Sequence, residues 1–137
     1  MRILAFQSPR FAWKPASQTL PDAAPASAAE VADCLVAFLH IEADDEEEAA
    51  RKRAFKHTLK HLKWLANKRE LRNVVLHSFA HLGGDNSTPA FARAFLDELA
   101  ERLQNTGYTV QQTPFGWFCS WELAVHGDSL AKVWKRI

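Results

Sequence analysis

Cysteine is scarce in this chain: two among 137 residues, with only five glycines and six prolines. Cys34 and Cys119 form no CxxC spacing and no paired framework, which excludes a disulfide scaffold and a zinc ribbon. Free thiols in this number fit a reducing cytoplasm. Neither charge sign dominates, since the net charge is +1. No global field pulls the chain toward nucleic acid or membrane, so any polyanion contact must come from a local patch. No stretch approaches the run of apolar residues needed to cross a bilayer. The opening MRILAFQSPR lacks the apolar core of a signal peptide. Also missing are a P-loop, a GxGxxG after a strand, a GxSxG elbow and an HExxH helix.

What remains is ordinary globular material, 47% hydrophobic and 24% charged. The length suits one domain over residues 1–137, able to bury roughly two thirds of its unfolded surface. Arg2 to Gln7 reads as a first strand, SPR as a turn, and Phe11 to Lys14 as a second strand. Pro15 to Ala29, rich in Pro, Ala and Ser, reads as an irregular crossover. Cys34 to Glu42 is nearly all apolar and predicts a strand buried on both faces. A helix follows from Asp45 to Lys68, its face set by Phe55, Leu59, Leu62 and Ala66. Asn73 to Phe79 predicts another buried strand and HLGGDNS a loop. Thr88 caps a second helix, with Pro89 in its first turn and Phe91, Phe95, Leu99 and Leu103 on its apolar face. Gly107 ends it. Tyr108 to Gln112 and Trp117 to Val125 predict two strands joined at TPFG, and Ser129 to Ile137 a final short helix. The expected order is β-β-β-α-β-α-β-β-α, an α/β (α+β) sandwich with a mixed sheet.

Three sets of residues carry candidate chemistry. His77 and His81 lie four apart, but the spacing straddles a strand end and a loop, with no third ligand nearby, so no metal site is expected. His81 sits past the C-terminal end of a strand, where open α/β sheets place ligands, and precedes Gly83 and Gly84. A loop histidine bonded to its own backbone is the plainer reading. Lys52, Lys56, Lys60 and Lys63 share a helix face that suits phosphates or simply solvent. The lack of interleaved aromatics on that face favours solvent. In TPFGWFCSW, Cys119 shares a strand face with Trp117, Trp121 and Leu123. It reads as a small buried hydrophobe, or as a reactive thiol if a cation stands close.

VVLHSFAHLGG, TPFGWFCSWELAVHGDSLAKV and MRILAFQS together resemble the editing domain of archaeal threonyl-tRNA synthetases. The resemblance runs the whole chain, with FAHL and PFG its specific part. The synthetic and anticodon-binding modules have no counterpart here, so it implies a stand-alone version. It implies a D-aminoacyl-tRNA deacylase-like fold, a homodimer, and a cytoplasmic enzyme that hydrolyses serine wrongly attached to threonine tRNA. A second sieve is needed because a threonine-selecting pocket rejects serine poorly. In the family a water, helped by the neighbouring ribose hydroxyl, attacks the ester, and no cofactor is implied. The expected partners are the aminoacylated 3′ end of tRNA and a threonyl-tRNA synthetase. A D-aminoacyl-tRNA deacylase and a non-catalytic tRNA- or synthetase-binding module remain as alternatives.

By the same resemblance, His81 matches the family's active-site histidine, and Phe79 and Ala80 the pocket wall before it. Phe115 and Gly116 match the PFG turn, and Ser8 a serine after the first strand. Trp117 and Phe118 stand where the family has two tyrosines. Cys119 takes the position of the family's catalytic lysine, and Lys132 that of a glutamate near it. The family's Lys–Glu pairing therefore cannot form. Lys132 is expected to bring an ammonium to the same pocket and hold Cys119 partly as thiolate, unless Cys119 merely fills the site.

Overall fold

The computed structural model describes residues 1–137. Its first two strands are β1 (Arg2–Gln18) and β2 (Ala29–His40), paired antiparallel from Arg2 opposite His40 to Trp13 opposite Ala29. The turn expected at SPR is absent. Pro9 lies inside β1 opposite Asp33, at the one level where the register skips a pair. Proline has no N–H to give a ladder, and Asp33 adopts φ +45, a region open to Asp at modest cost. The side-chain alternation inverts there on both strands. Ile3 and Ala5 join Leu35, Ala37 and Leu39 in one core, whereas Phe11 and Trp13 join Val31, Cys34, Val36 and Phe38 in another. The crossover is correspondingly shorter than expected, because Pro15 to Gln18 still belong to β1.

β3 (Asn73–Ser78) runs parallel to β2, and β4 (Thr109–Gln112) parallel to β3. The far edge of β1 is shared. β5 (Trp117–Leu123) pairs with its C-terminal half and β6 (Lys132–Arg136) with its N-terminal half, both antiparallel. The expected final helix is thus corrected: only Ser129–Ala131 forms a short 3-10 turn, and the chain then extends to pair with Arg2–Phe6. Val133 packs against the core from this strand, and the first five residues of β1 supply the ladder. The true order is β-β-α-β-α-β-β-β.

Both helices cover one face of the sheet. α1 (Glu48–Lys68) follows a 3-10 turn at Ala43–Glu46, and Glu47 caps it by accepting from the Ala50 N–H at 2.8 Å. α2 (Pro89–Gln104) starts at Thr88, whose hydroxyl accepts from the Phe91 N–H. Leu62, Leu65 and Ala66 of α1 and Phe95, Leu99 and Leu103 of α2 pack on Ile3, Leu35, Leu39, Val74 and Leu76. Each large side chain buried here contributes about 1.5–3 kcal/mol. Truncating fully buried Leu62 to Ala removes that and leaves a cavity, about 2–5 kcal/mol in all.

No helix covers the other face. There the sheet curls on itself: Trp121 of β5 packs tilted against Phe38 of β2 and edge-on to His77 of β3, with ring centroids 4.9 and 5.0 Å apart. β4 and β5 lie at opposite ends of the strand path, so Thr113 to Gly116 bridge from one to the other. No helix is long and apolar enough to cross a membrane.

The loop after β3 is tied down from the N-terminus. The Met1 ammonium is buried and contacts Glu42 at 2.6 Å and Asp45 at 2.8 Å. Arg2 reaches Glu42 at 3.0 Å and donates to the Leu82 carbonyl at 2.9 Å. Gly83 and Gly84, both at φ +93, pass so close to Arg2 and Glu42 that a Cβ on either would collide. This arrangement fixes the chain beside His81.

Candidate functional site

An open cavity of about 390 Å³ lies at the C-terminal ends of β2 and β3, a volume that suits a small ligand. Its floor is Leu39, Ile41 and His77. Ser78, Phe79, Ala80 and His81 form one wall, and Asn86, Ser87 and Pro89 at the start of α2 another. Pro114 to Cys119, with Trp121, close it opposite.

The third wall depends on Gly116. Its φ of +82 turns the chain, and its carbonyl accepts from the Thr19 and Leu20 N–H groups at 2.7 and 3.2 Å. A Cβ there would stand 2.9 Å from that of Ala23. Trp117 donates from its indole to the Ala24 carbonyl at 2.9 Å, and the Arg93 guanidinium lies 5.0 Å over the Phe115 ring. The segment read as a loose crossover is therefore stapled to the PFG turn, and Thr19 and Leu20 join the lining.

Of the residues singled out by resemblance, Phe79, Ala80, His81, Phe115, Gly116, Trp117, Phe118 and Cys119 all line this one cavity. Ser8 and Lys132 do not. Ser8 is fully buried mid-strand opposite Cys34, and its hydroxyl accepts from the Arg10 N–H at 3.1 Å beside the Pro9 irregularity. Lys132 pairs with Phe6, Cys119 with Pro15 nine positions further along β1, and the Lys132 ammonium donates to the Gly127 carbonyl at 3.3 Å. The expected ammonium–thiol partnership is thereby corrected: a strand in place of the final helix carries Lys132 to the other half of β1.

No Asp, Glu, Lys or Arg side chain lines the cavity. Three titratable groups do. Burial pushes the His77 imidazole down to about 4, so it is neutral, and its Nδ1 lies 2.6 Å from the Thr113 hydroxyl. Burial pushes the Cys119 thiol up, with no cation to oppose it, so it stays protonated at neutral pH. His81 is exposed, with its ring edge-on to Phe79 at 5.4 Å. No group of three or more His, Cys, Asp or Glu side chains converges, so His77 and His81 have no third ligand.

These residues match a known domain over their full span. Residues 1–137 match the archaea-specific editing domain of threonyl-tRNA synthetase. The chain belongs to that family. A threonine-tRNA ligase of Methanococcus maripaludis is 34% identical over 107 residues, covering 77% of this chain and 16% of the ligase. Those of Methanopyrus kandleri and Methanosphaerula palustris are 28% and 30% identical over 139 residues, covering all of this chain and 22% of each ligase. The editing-domain chain thus spans about a fifth of these relatives. Among solved structures, the c-Myc DNA unwinding element binding protein superposes with a TM-score of 0.65. It covers 100% of this chain and 99% of its own, at 13% identity, which shows the shared fold alone. The fold is the α+β, D-aminoacyl-tRNA deacylase-like one that the resemblance implies, with a six-stranded mixed sheet.

Other lining residues had no signal as site residues. His77 stood out only as half of a metal pair, and Trp121 only as a neighbour of Cys119. Thr19, Asn86 and Ser87 lie in loops whose positions depend on contacts distant in sequence. Thr113, the residue after β4 in TPFG, does not line the cavity but holds His77 from behind it.

Proposed function

We propose that this editing domain is an aminoacyl-tRNA deacylase that removes serine from mischarged threonine tRNA, without a metal or organic cofactor. The observation that carries this reading is the cavity itself. It is open rather than filled by Trp117 and Trp121, and it gathers His81 with Phe79, Ala80 and the PFG residues while no Asp, Glu, Lys or Arg side chain lines it. The reaction is addition of water to the ester carbonyl, followed by cleavage of the bond to the ribose oxygen. Serine leaves as the carboxylic acid and the tRNA regains its terminal hydroxyl.

His77 is held neutral in the floor and Cys119 is protonated, which supports His81 as the side chain that orients the water or the ribose. The attacking water's proton is relayed, through His81 or the neighbouring hydroxyl of the substrate's own ribose, to the departing ribose oxygen. The small Ala80 and the turn backbone at Gly116 give a wall against which an extra methyl group would press. Discrimination by such a wall is limited to about 1–3 kcal/mol per methyl. Leu4, Phe6 and Trp134 leave apolar surface on the helix-free face, where a homodimer would cover them. Action in the cytoplasm, beside a threonyl-tRNA synthetase, follows from the same reading.

Release of serine, threonine, alanine and D-amino acids from their tRNAs by the 137-residue chain tests the proposal. Seryl-tRNA(Thr) is expected to be hydrolysed about tenfold or more faster than threonyl-tRNA(Thr). Equal release of both refutes editing, and a preference for D-aminoacyl esters assigns the same chemistry to a different substrate.

A further inference from the structure

After Glu48, α1 carries no acidic residue through Lys68. Its turn of 100° per residue gathers Arg53, Lys56, His57, Lys60, Trp64 and Lys68 on the outward side, and all are exposed. Arg51 and Lys52, at the margins, pair with Glu98 and Glu48, but none of the outward cations makes an ion pair. The sequence reading found no aromatic among these lysines. The fold corrects it: Trp64 sits in the middle of the stripe, 44% exposed, with the Lys68 ammonium 5.7 Å over its ring. β6 adds a further cation. Between α1 and β6 lies a hollow of about 360 Å³ lined by His57, Lys60, His61, Trp64 and Lys135. His61 is buried there, 7% exposed, and its Nε2 has no hydrogen-bond partner.

We propose that this stripe docks the phosphate backbone of RNA, with Trp64 as a stacking platform. The inference rests on the tRNA substrate proposed above and extends it to the RNA beyond the 3′ end. The chain's net charge is only +1, so its positive charge is concentrated here by placement rather than by composition. From Arg53 to Lys68 the stripe runs about 22 Å at 1.5 Å per residue. Unpaired cations of this kind gain by displacing counterions from phosphates, and an aromatic among them accepts an unstacked base. α1 begins just after the end of β2 that borders the cavity and runs away from it. An RNA with its 3′ end in the cavity has phosphates left to satisfy in that region. A lipid surface fits less well, because Leu62, Leu65 and Ala66 are fully buried in the core and α1 has no apolar side to insert.

Binding of full-length tRNA(Thr) across a salt series, beside hydrolysis of a seryl-adenosine ester, tests the inference. Lys56→Glu with Lys60→Glu is expected to weaken tRNA binding about tenfold or more and to lower the salt slope by about two. Trp64→Ala is expected to cost about fivefold or more. Seryl-adenosine hydrolysis stays at the parent rate in all of these. The paired Gln changes at the same lysines give a milder loss of the same kind and guard against misfolding, which equal melting temperatures check. If tRNA affinity and slope do not change while seryl-adenosine is still hydrolysed, the docking surface is refuted and the proposed function stands. If the parent neither binds tRNA nor hydrolyses either ester, the proposed function fails with it. Binding to phosphatidylserine vesicles that the Glu changes abolish, with tRNA binding intact, reassigns the stripe to a lipid surface and overturns the inference.

Discussion

The His77 imidazole, in the floor of the cavity, and the Thr113 hydroxyl behind it meet at 2.6 Å, joining β3 to the residue after β4. His77 is buried, and burial lowers it to about 4 from an ordinary 6.5. Below pH 6.5 the unfolded chain takes up a proton that the native chain refuses. Stability from His77 is therefore full above about 6.5 and falls as pH drops toward 4. The whole effect is at most about 3 kcal/mol. His61, also lowered to about 4, acts in the same direction. Urea midpoints measured from pH 7.5 to 4 should decline, and His77→Phe should flatten the decline. Thr113→Val should cost about 1–2 kcal/mol at pH 7.5 by leaving the ring unpartnered.

His81 and Cys119 share the cavity with unequal roles. His81→Ala should lower the rate of seryl-tRNA hydrolysis by about a hundredfold or more. Cys119→Ala and Cys119→Ser should keep most of it, because the thiol is protonated at neutral pH. Alkylation of Cys119 should be slower at neutral pH than that of an exposed thiol, and should keep rising with pH past the point where an ordinary thiol levels off. Lys132→Ala should leave both rate and alkylation profile unchanged, since Lys132 is held at the other half of β1. A hundredfold loss in Cys119→Ser, with His81→Ala silent, reverses the two assignments.

Gly116 holds the PFG turn in a conformation and a space that admit no side chain. Gly116→Ala must strain the backbone and push against Ala23 and Leu20. A loss of about 1–3 kcal/mol in stability is expected, with a larger fractional loss of activity than at neighbouring Pro114→Ala. Equilibrium unfolding and deacylation rates on the two variants measure it.

Glu42 receives the buried Met1 ammonium and Arg2. Burial raises its carboxyl, but the hydrogen bond and charge of the ammonium, with Arg2, outweigh it and hold the carboxyl below the ordinary value. Glu42→Gln leaves a buried ammonium with only Asp45 as its counter-charge and should cost about 3–5 kcal/mol. The contribution of Glu42 is present at neutral pH and is lost in acid, as pH falls through its lowered value. A melting temperature unchanged by Glu42→Gln would show that Asp45 alone suffices.

Local pattern determined the parts whose physics is local. The apolar run from Cys34, the periodic faces of both helices, the Thr88 cap and the FAHL and PFG residues are visible in the sequence, because burial and capping act within a few residues. Long-range pairing determined the rest. SPR and KVWKR each carry weak local preferences, a turn and a helix, of a fraction of a kcal/mol per residue. Pairing with β2 draws Pro9 into a strand opposite Asp33, and pairing with β1 draws Lys132–Arg136 into another. The same pairing sets Cys119 apart from Lys132 and brings Trp121 edge-on to His77. It also curls β5 over β3 to open the cavity. Which side chains share that cavity is a property of the sheet's curvature, and curvature arises only once all six strands have found their partners.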